Sequence, residues 1–147
     1  MQTLIINIKE LLQVRETQLE KVSGNEMAIL PTIKNAYLLI ENDLIAAFGP
    51  MENCPNLENA KIIDASGKHI YPGFIGANTN LGLVEVDAVN ASNDQREMGS
   101  MIPHVRSLVA YNAESKVIST VKTNGILITQ ATPRGGIISG TSSVMAL

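Results

Sequence analysis

Two asparagines one residue apart, Asn78 and Asn80, close the stretch Tyr71-Pro72-Gly73-Phe74-Ile75-Gly76-Ala77-Asn78-Thr79-Asn80. Pro-Gly favours a turn, and Phe74 and Ile75 after it read as a short apolar strand. Side chains at i and i+2 of a strand share a face, so both asparagines are expected to point the same way from its C-terminal end. Two imidazoles at that spacing could chelate one zinc or iron ion, because neutral histidine nitrogen is a good donor to either. An amide oxygen is a weak, neutral ligand. The pair therefore reads either as a degenerate metal site or, the commoner case, as polar residues hydrogen-bonded at a strand end.

Other side chains with chemical potential are scattered. His104 lies in a polar loop, where it is either a recruited ligand or, more commonly, solvated; His69 sits on an alternating strand as half-exposed structure. Glu85 and Asp87 are expected to share a strand face, where they could bind a cation or act as a paired acid and base or, the commoner case, stand as outward carboxylates of an edge strand. Arg134-Gly135-Gly136 is similar to an anion-binding loop, but no helix clearly follows to supply a dipole. The single cysteine, Cys54, has no second cysteine for a disulfide or metal site, and no basic neighbour or helix N-terminus to activate it.

These residues need a frame, and the chain has material for one. Its 147 residues, 45% of them hydrophobic, suffice for one domain or a small domain plus part of another. With three Tyr, two Phe and no Trp, the core must be aliphatic, and an aromatic platform for base stacking is not expected. The formal charge of -3 is spread along the chain, which argues against a phosphate-binding surface. No apolar run reaches the length of a membrane span, so a cytoplasmic, soluble chain without nucleic-acid or membrane partners is the expectation.

In order, residues 3–7 read as a strand that bends through 8–14, and residues 15–31 as a surface loop. Residues 36–40, the turn Glu41-Asn42-Asp43 and residues 44–49 make a hairpin. A loop over 50–59, a strand over 61–64 and a turn at Ala65-Ser66-Gly67-Lys68 follow. Residues 88–107 read as a long polar loop and 113–123 as a helix capped by Asn124-Gly125. Residues 126–130 read as a buried strand whose outer edge, with the apolar run 144–147, lacks a cover.

The Pro-Gly-Phe strand followed by Asn78-Thr79-Asn80 resembles the first barrel strand of the metal-dependent amidohydrolase superfamily, where His-x-His occupies the place of the asparagines. The segments Leu4-Ile5-Ile6-Asn7-Ile8-Lys9-Glu10-Leu11-Leu12, Lys34 to Asp43 and Ile62-Ile63-Asp64-Ala65-Ser66-Gly67-Lys68 look like the N-terminal region of the imidazolonepropionases of that superfamily. Beyond Asn80, the likeness shifts to imidazolonepropionase-related amidohydrolases with Asn-Thr-Asn at this site, carried by Pro103-His104-Val105-Arg106, Thr123 to Leu127 and Gly135 to Gly140. Imidazolonepropionases follow the metal-binding pair with a substrate-clamping arginine, whereas the next arginine here is Arg96, so that role is not carried over.

The resemblance implies an α+β chain: a β-sandwich-like composite domain over residues 1–70, and over 71–147 the first strands of an incomplete (β/α) barrel. A complete barrel takes about 250 residues. The implied parent activity is metal-dependent hydrolysis of a ring C–N bond in a cyclic amide, for imidazolonepropionases the conversion of imidazolone propionate to formiminoglutamate. Zinc or iron serves the parent family; no cofactor and no catalytic residue are expected here, and the chain alone is expected to be inactive. The alternative is a non-catalytic assembly module. Self-association, or a missing C-terminal segment, is the partner expectation.

Overall fold

One strand organises the first half of the chain. β1 (Gln2–Leu12) pairs antiparallel with β2 (Thr32–Glu41), and β2 in turn with β3 (Leu44–Pro50). On its other side β1 takes two short parallel strands, β4 (Lys61–Asp64) and β5 (His69–Ile70). The computed structural model describes residues 1–15 and 19–147. The chain divides into two compact units, Met1–Pro72 and Gly73–Leu147.

Where a bend was expected after Asn7, the strand instead runs on to Leu12 through a bulge. Asn7 adopts φ 56°, and the register with β2 slips by one residue between Ile5 and Ile8. An extra residue reverses which face the following side chains take. Leu4 and Ile6 accordingly pack with Tyr37 and Leu39, while Ile5 and Ile8 pack with Ala36, Leu38, Leu11 and Ala65. Both faces of the sheet thus carry apolar side chains.

The hairpin forms as its sequence predicts. Asn42 and Asp43 sit at φ 48° and 66°, the paired positive values of a two-residue type I′ turn, which Asn and Asp tolerate better than other non-glycine residues. The 65–68 turn is also present. The Asp64 carboxylate accepts hydrogen bonds from the Ser66 backbone N–H at 2.8 Å and its hydroxyl at 2.6 Å, and Lys68 N–H closes onto the Ala65 carbonyl at 2.9 Å. The expected 15–31 loop holds one 3-10 turn, Gly24–Ala28; its residues 16–18 lie outside those described. The 50–59 loop begins with another, Met51–Asn53.

In the second unit β6 (Phe74–Thr79) lies parallel to β7 (Ile126–Ala131). A parallel pair needs a long crossover. Here it contains two helices, α1 (Ser107–Ala110) and α2 (Lys116–Thr123). α2 starts three residues later than its periodicity suggested, because Asn112 gathers the preceding turn: its Oδ1 accepts from Glu114 N–H at 3.0 Å and its carbonyl from Ser115 N–H at 3.3 Å. Gly125, at φ 87°, ends the helix by donating to the Lys122 carbonyl at 2.9 Å.

Two expectations for β7 are corrected. Only Thr129 and Ala131 are buried along it, and Leu127 stays 46% exposed, so the strand is half-buried. Its outer edge is not open either. The apolar run at the end of the chain folds back as β8 (Ser143–Ala146) and pairs antiparallel, from Ile128 opposite Ala146 to Ala131 opposite Ser143. The 88–107 loop is anchored by isolated bridges, Met101 to Ile138 and Arg106 to Thr141. Gly140 permits the second of these: at φ 106° it lies so close to the Val105 carbonyl that a Cβ would collide with that oxygen. Mixed sheets with few helices make this an α+β chain, and among the described residues no helix is long and apolar enough to cross a membrane.

Candidate functional site

The C-terminal end of β6 does not present the two asparagines as an alternating pair. Asn78 adopts φ 54° inside a register break that runs from Gly76 to Thr79, and Asn80 lies beyond the strand. The i, i+2 rule holds only for regular pleat, so the expected common face is lost. Asn78 is exposed, with its backbone N–H donating to Gln130 Oε1 at 3.3 Å. Asn80 is half-buried, and its Nδ2 donates to Gln95 Oε1 at 3.5 Å.

Between them Thr79 points to the protein. Its hydroxyl lies 2.6 Å from that of Thr129, which is fully buried and also donates to the Gly76 carbonyl at 3.3 Å. Gln130 extends the network, donating from Nε2 to Ser142 Oγ at 3.0 Å. Sequence reasoning passed over Gln95, Thr129, Gln130 and Ser142. The one signal for Thr129 was a hydroxyl inside an otherwise aliphatic strand, a group that must find a partner when buried.

The donor chemistry at this strand end does not fit a zinc or iron ion. Neutral amides replace imidazoles, one of them is engaged by Gln95, and among the described residues no three His, Cys, Asp or Glu side chains converge.

The remaining candidates sit apart and are mostly committed. Glu85 and Asp87 are not on a strand, correcting the paired-carboxylate expectation. Glu85 accepts from Asn112 Nδ2 at 3.2 Å and from Ser115 Oγ at 3.0 Å, tying the segment after β6 to the start of α2. Asp87 accepts from Asn93 Nδ2 at 3.4 Å. His104 is exposed in an open cleft of about 280 Å³ beside Glu97 and Arg106, and shares no described hydrogen bond with either asparagine. His69 faces Glu10, with Nδ1 to Oε2 at 3.0 Å, and stacks on Tyr71.

Arg134 donates its backbone N–H to the Gln95 carbonyl at 2.6 Å, and the next regular element after Gly135-Gly136 is β8 rather than a helix. Burial raises the Cys54 thiol above its ordinary value, which disfavours the reactive thiolate. Asp64 is held below the usual carboxylate range by the Ser66 hydroxyl, then the Ser66 N–H and the Asn7 amide.

No family model matches the chain. In sequence it is 54% identical over 81 residues to an imidazolonepropionase of Flavobacterium psychrophilum, covering 55% of this chain and 20% of that one. It is 44% identical over 123 residues to the imidazolonepropionase of Christiangramia forsetii, covering 84% of this chain and 28% of that one. A match of that length exceeds the first unit, so the likeness runs into the second as well. The chain spans 20% to 28% of the length of these relatives. A crystal structure of an amidohydrolase from Thermotoga maritima superposes with a TM-score of 0.75 at 23% identity, over 98% of this chain and 33% of that one. The chain is therefore similar in sequence to imidazolonepropionases across both units, and it has the fold of a solved amidohydrolase.

Proposed function

We propose that this chain supplies the sandwich-like domain and the first barrel strands of an imidazolonepropionase-like amidohydrolase, whose parent activity is hydrolysis of a ring C–N bond in a cyclic amide. In this reading the β1 to β5 sheet belongs to the composite domain and β6-α2-β7 to the opening of an incomplete barrel. Asn78 and Asn80 then hold the positions of the superfamily His-x-His without holding a metal, and the residues present do not run the reaction by themselves.

The observation that carries the reading is the end of β6. The superfamily reaction needs a metal to generate hydroxide at neutral pH. At that place the chain instead has a left-handed asparagine and a threonine, glutamine and asparagine network bonded to itself. Internal hydrogen bonding supports the strand end as structure. Purified chain incubated with imidazolone propionate is expected to release no formiminoglutamate above the buffer rate. Turnover that persists through purification and disappears on a single substitution at Asn78 or Asn80 would overturn the proposal.

A second reading, a non-catalytic assembly module, is favoured by the apolar surface left exposed on β3, where Leu44 and Ile45 are 72% and 65% accessible. It predicts association without turnover.

A further inference from the structure

The end of α2 carries the chain's one asparagine followed by glycine, Asn124-Gly125. This dipeptide is prone to attack on its own side chain, because a glycine nitrogen has no Cβ beside it to hinder ring closure. The Gly125 nitrogen, once it has given its proton to hydroxide, adds to Cγ of Asn124. The Cγ–Nδ2 bond breaks, and the amide nitrogen takes a proton from water and leaves as ammonia. A second water then opens the five-membered imide at one of its two carbonyls. The product is aspartate or isoaspartate, in which the main chain runs through Cβ.

The fold holds the reacting atoms away from that path. Ring closure requires Cβ and the Gly125 nitrogen to eclipse one another about the Cα–C bond. At ψ 10° the Gly125 nitrogen instead eclipses Asn124's own backbone nitrogen, a tetrahedral position away from Cβ. The proton that must leave is donated by Gly125 N–H to the Lys122 carbonyl at 2.9 Å, and Asn124 Nδ2 donates to the Thr120 carbonyl at 2.9 Å.

The restraint is local. α2 has eight residues, of which Ile118 alone is buried, and a helix of that length is marginal without packing. Its last turn belongs to the low-stability end of the structure, and Asn124 is exposed to the water and hydroxide that the reaction consumes.

We propose that Asn124 is a deamidation site gated by the end of α2: the closed turn suppresses imide formation, each opening releases the dipeptide to react, and the product does not close again. Isoaspartate adds one atom to the main chain at the place where Gly125 N–H meets the Lys122 carbonyl and the Gly125 carbonyl accepts from Phe74 N–H at 2.9 Å. Aspartate loses the donor to Thr120 and sets a carboxylate against the negative end of the helix. Either product loosens the junction of α2 with the starts of β6 and β7. This inference is independent of the catalytic reading and stands whether or not the chain turns over any substrate.

The test is to age the full chain in mildly alkaline buffer, with and without urea, and to digest it with trypsin. The peptide Thr123 to Arg134 has Asn124 as its only asparagine, and its amide, aspartate and isoaspartate forms separate by chromatography and mass. Conversion in the folded chain should be at least about tenfold slower than in urea, because it proceeds only from the open fraction. Lys122→Gly, at an exposed position of the last turn, removes no buried contact and should raise the folded rate about threefold without changing the rate in urea. Its longer peptide, from Val117, still has Asn124 as its only asparagine. Val144→Ala, on exposed β8, should change neither rate. The aged chain should exchange its Phe74 N–H faster than the fresh one. Equal rates in the folded chain and in urea, a folded rate indifferent to Lys122→Gly, or unchanged exchange at Phe74 after conversion would overturn the proposal.

Discussion

Ile8→Ala is the substitution that most sharply tests the sheet of the first unit. Ile8 is fully buried at the bulge of β1, opposite Ala36 and bridged to Ser66. The change deletes three carbon atoms; at ~0.8 kcal/mol per buried methylene the lost transfer energy is ~2.4 kcal/mol. The vacated space adds a cavity cost to the extent that its walls cannot close. Two neighbours, Ala36 and Ala65, are too short to lean in, and the others are held on hydrogen-bonded strands, so closure is poor. The total should be about 3–4 kcal/mol, inside the range known for such truncations. A unit of this size holds on the order of 4–10 kcal/mol.

Urea unfolding followed by hydrogen exchange at β1 and β2 amides would read the loss, and Ile75→Ala, at a 65% exposed site, provides a comparison expected to cost under ~0.5 kcal/mol. A loss below ~1 kcal/mol at Ile8 would refute the reversal of side-chain faces at Asn7, because without it Ile8 would not point into that cluster.

Asp64 carries a pH prediction. Its folded value is lowered by Ser66 and Asn7, so the turn gains stability above the ordinary carboxylate range and loses it as pH falls through the lowered value. Asp64→Asn should flatten the acid limb of a stability profile, and an unchanged limb would count against the turn geometry. Cys54, with its thiol raised by burial, should react with iodoacetamide at pH 8 more slowly than free cysteine; equal rates would contradict its burial. Gly140→Ala forces a Cβ onto the Val105 carbonyl at positive φ and should cost roughly 2 kcal/mol or more, seen as faster exchange of the Thr141 N–H bonded to that carbonyl. Unchanged exchange would refute the anchoring of this loop.

Legibility in the sequence followed the range of the interactions. The Asn42-Asp43 hairpin, the Asp64 to Lys68 turn and the end of α2 at Gly125 are local chemistry, written within a few residues, and the fold contains all three. β8 was missed because Val144 to Leu147 is too short to declare a strand. Its identity comes from the partner it finds in β7, across a loop. The bulge at Asn7 and the left-handed Asn78 escaped for a related reason: Asn adopts positive φ cheaply, but only pairing with neighbouring strands decides where. At the candidate site, the asparagines were found by analogy of position. Gln95 and Gln130 were not, since their amides become site residues only when a loop and a second strand meet the end of β6.

The central claim is that the end of β6 is a self-satisfied polar strand end in an amidohydrolase frame. Equilibrium dialysis of the full chain against zinc with a weak competing chelator tests this most directly, read by metal analysis and by hydrogen exchange at residues 74–80. The account predicts that no zinc is retained and that exchange is unaltered, for the chain as it stands and also for Asn78→His/Asn80→His, because Asn78 has a left-handed backbone that breaks the strand's regular pleat and, among the described residues, no further ligands converge there. Stoichiometric zinc retained by the unaltered chain, with protection appearing at Asn78 and Asn80, would contradict it.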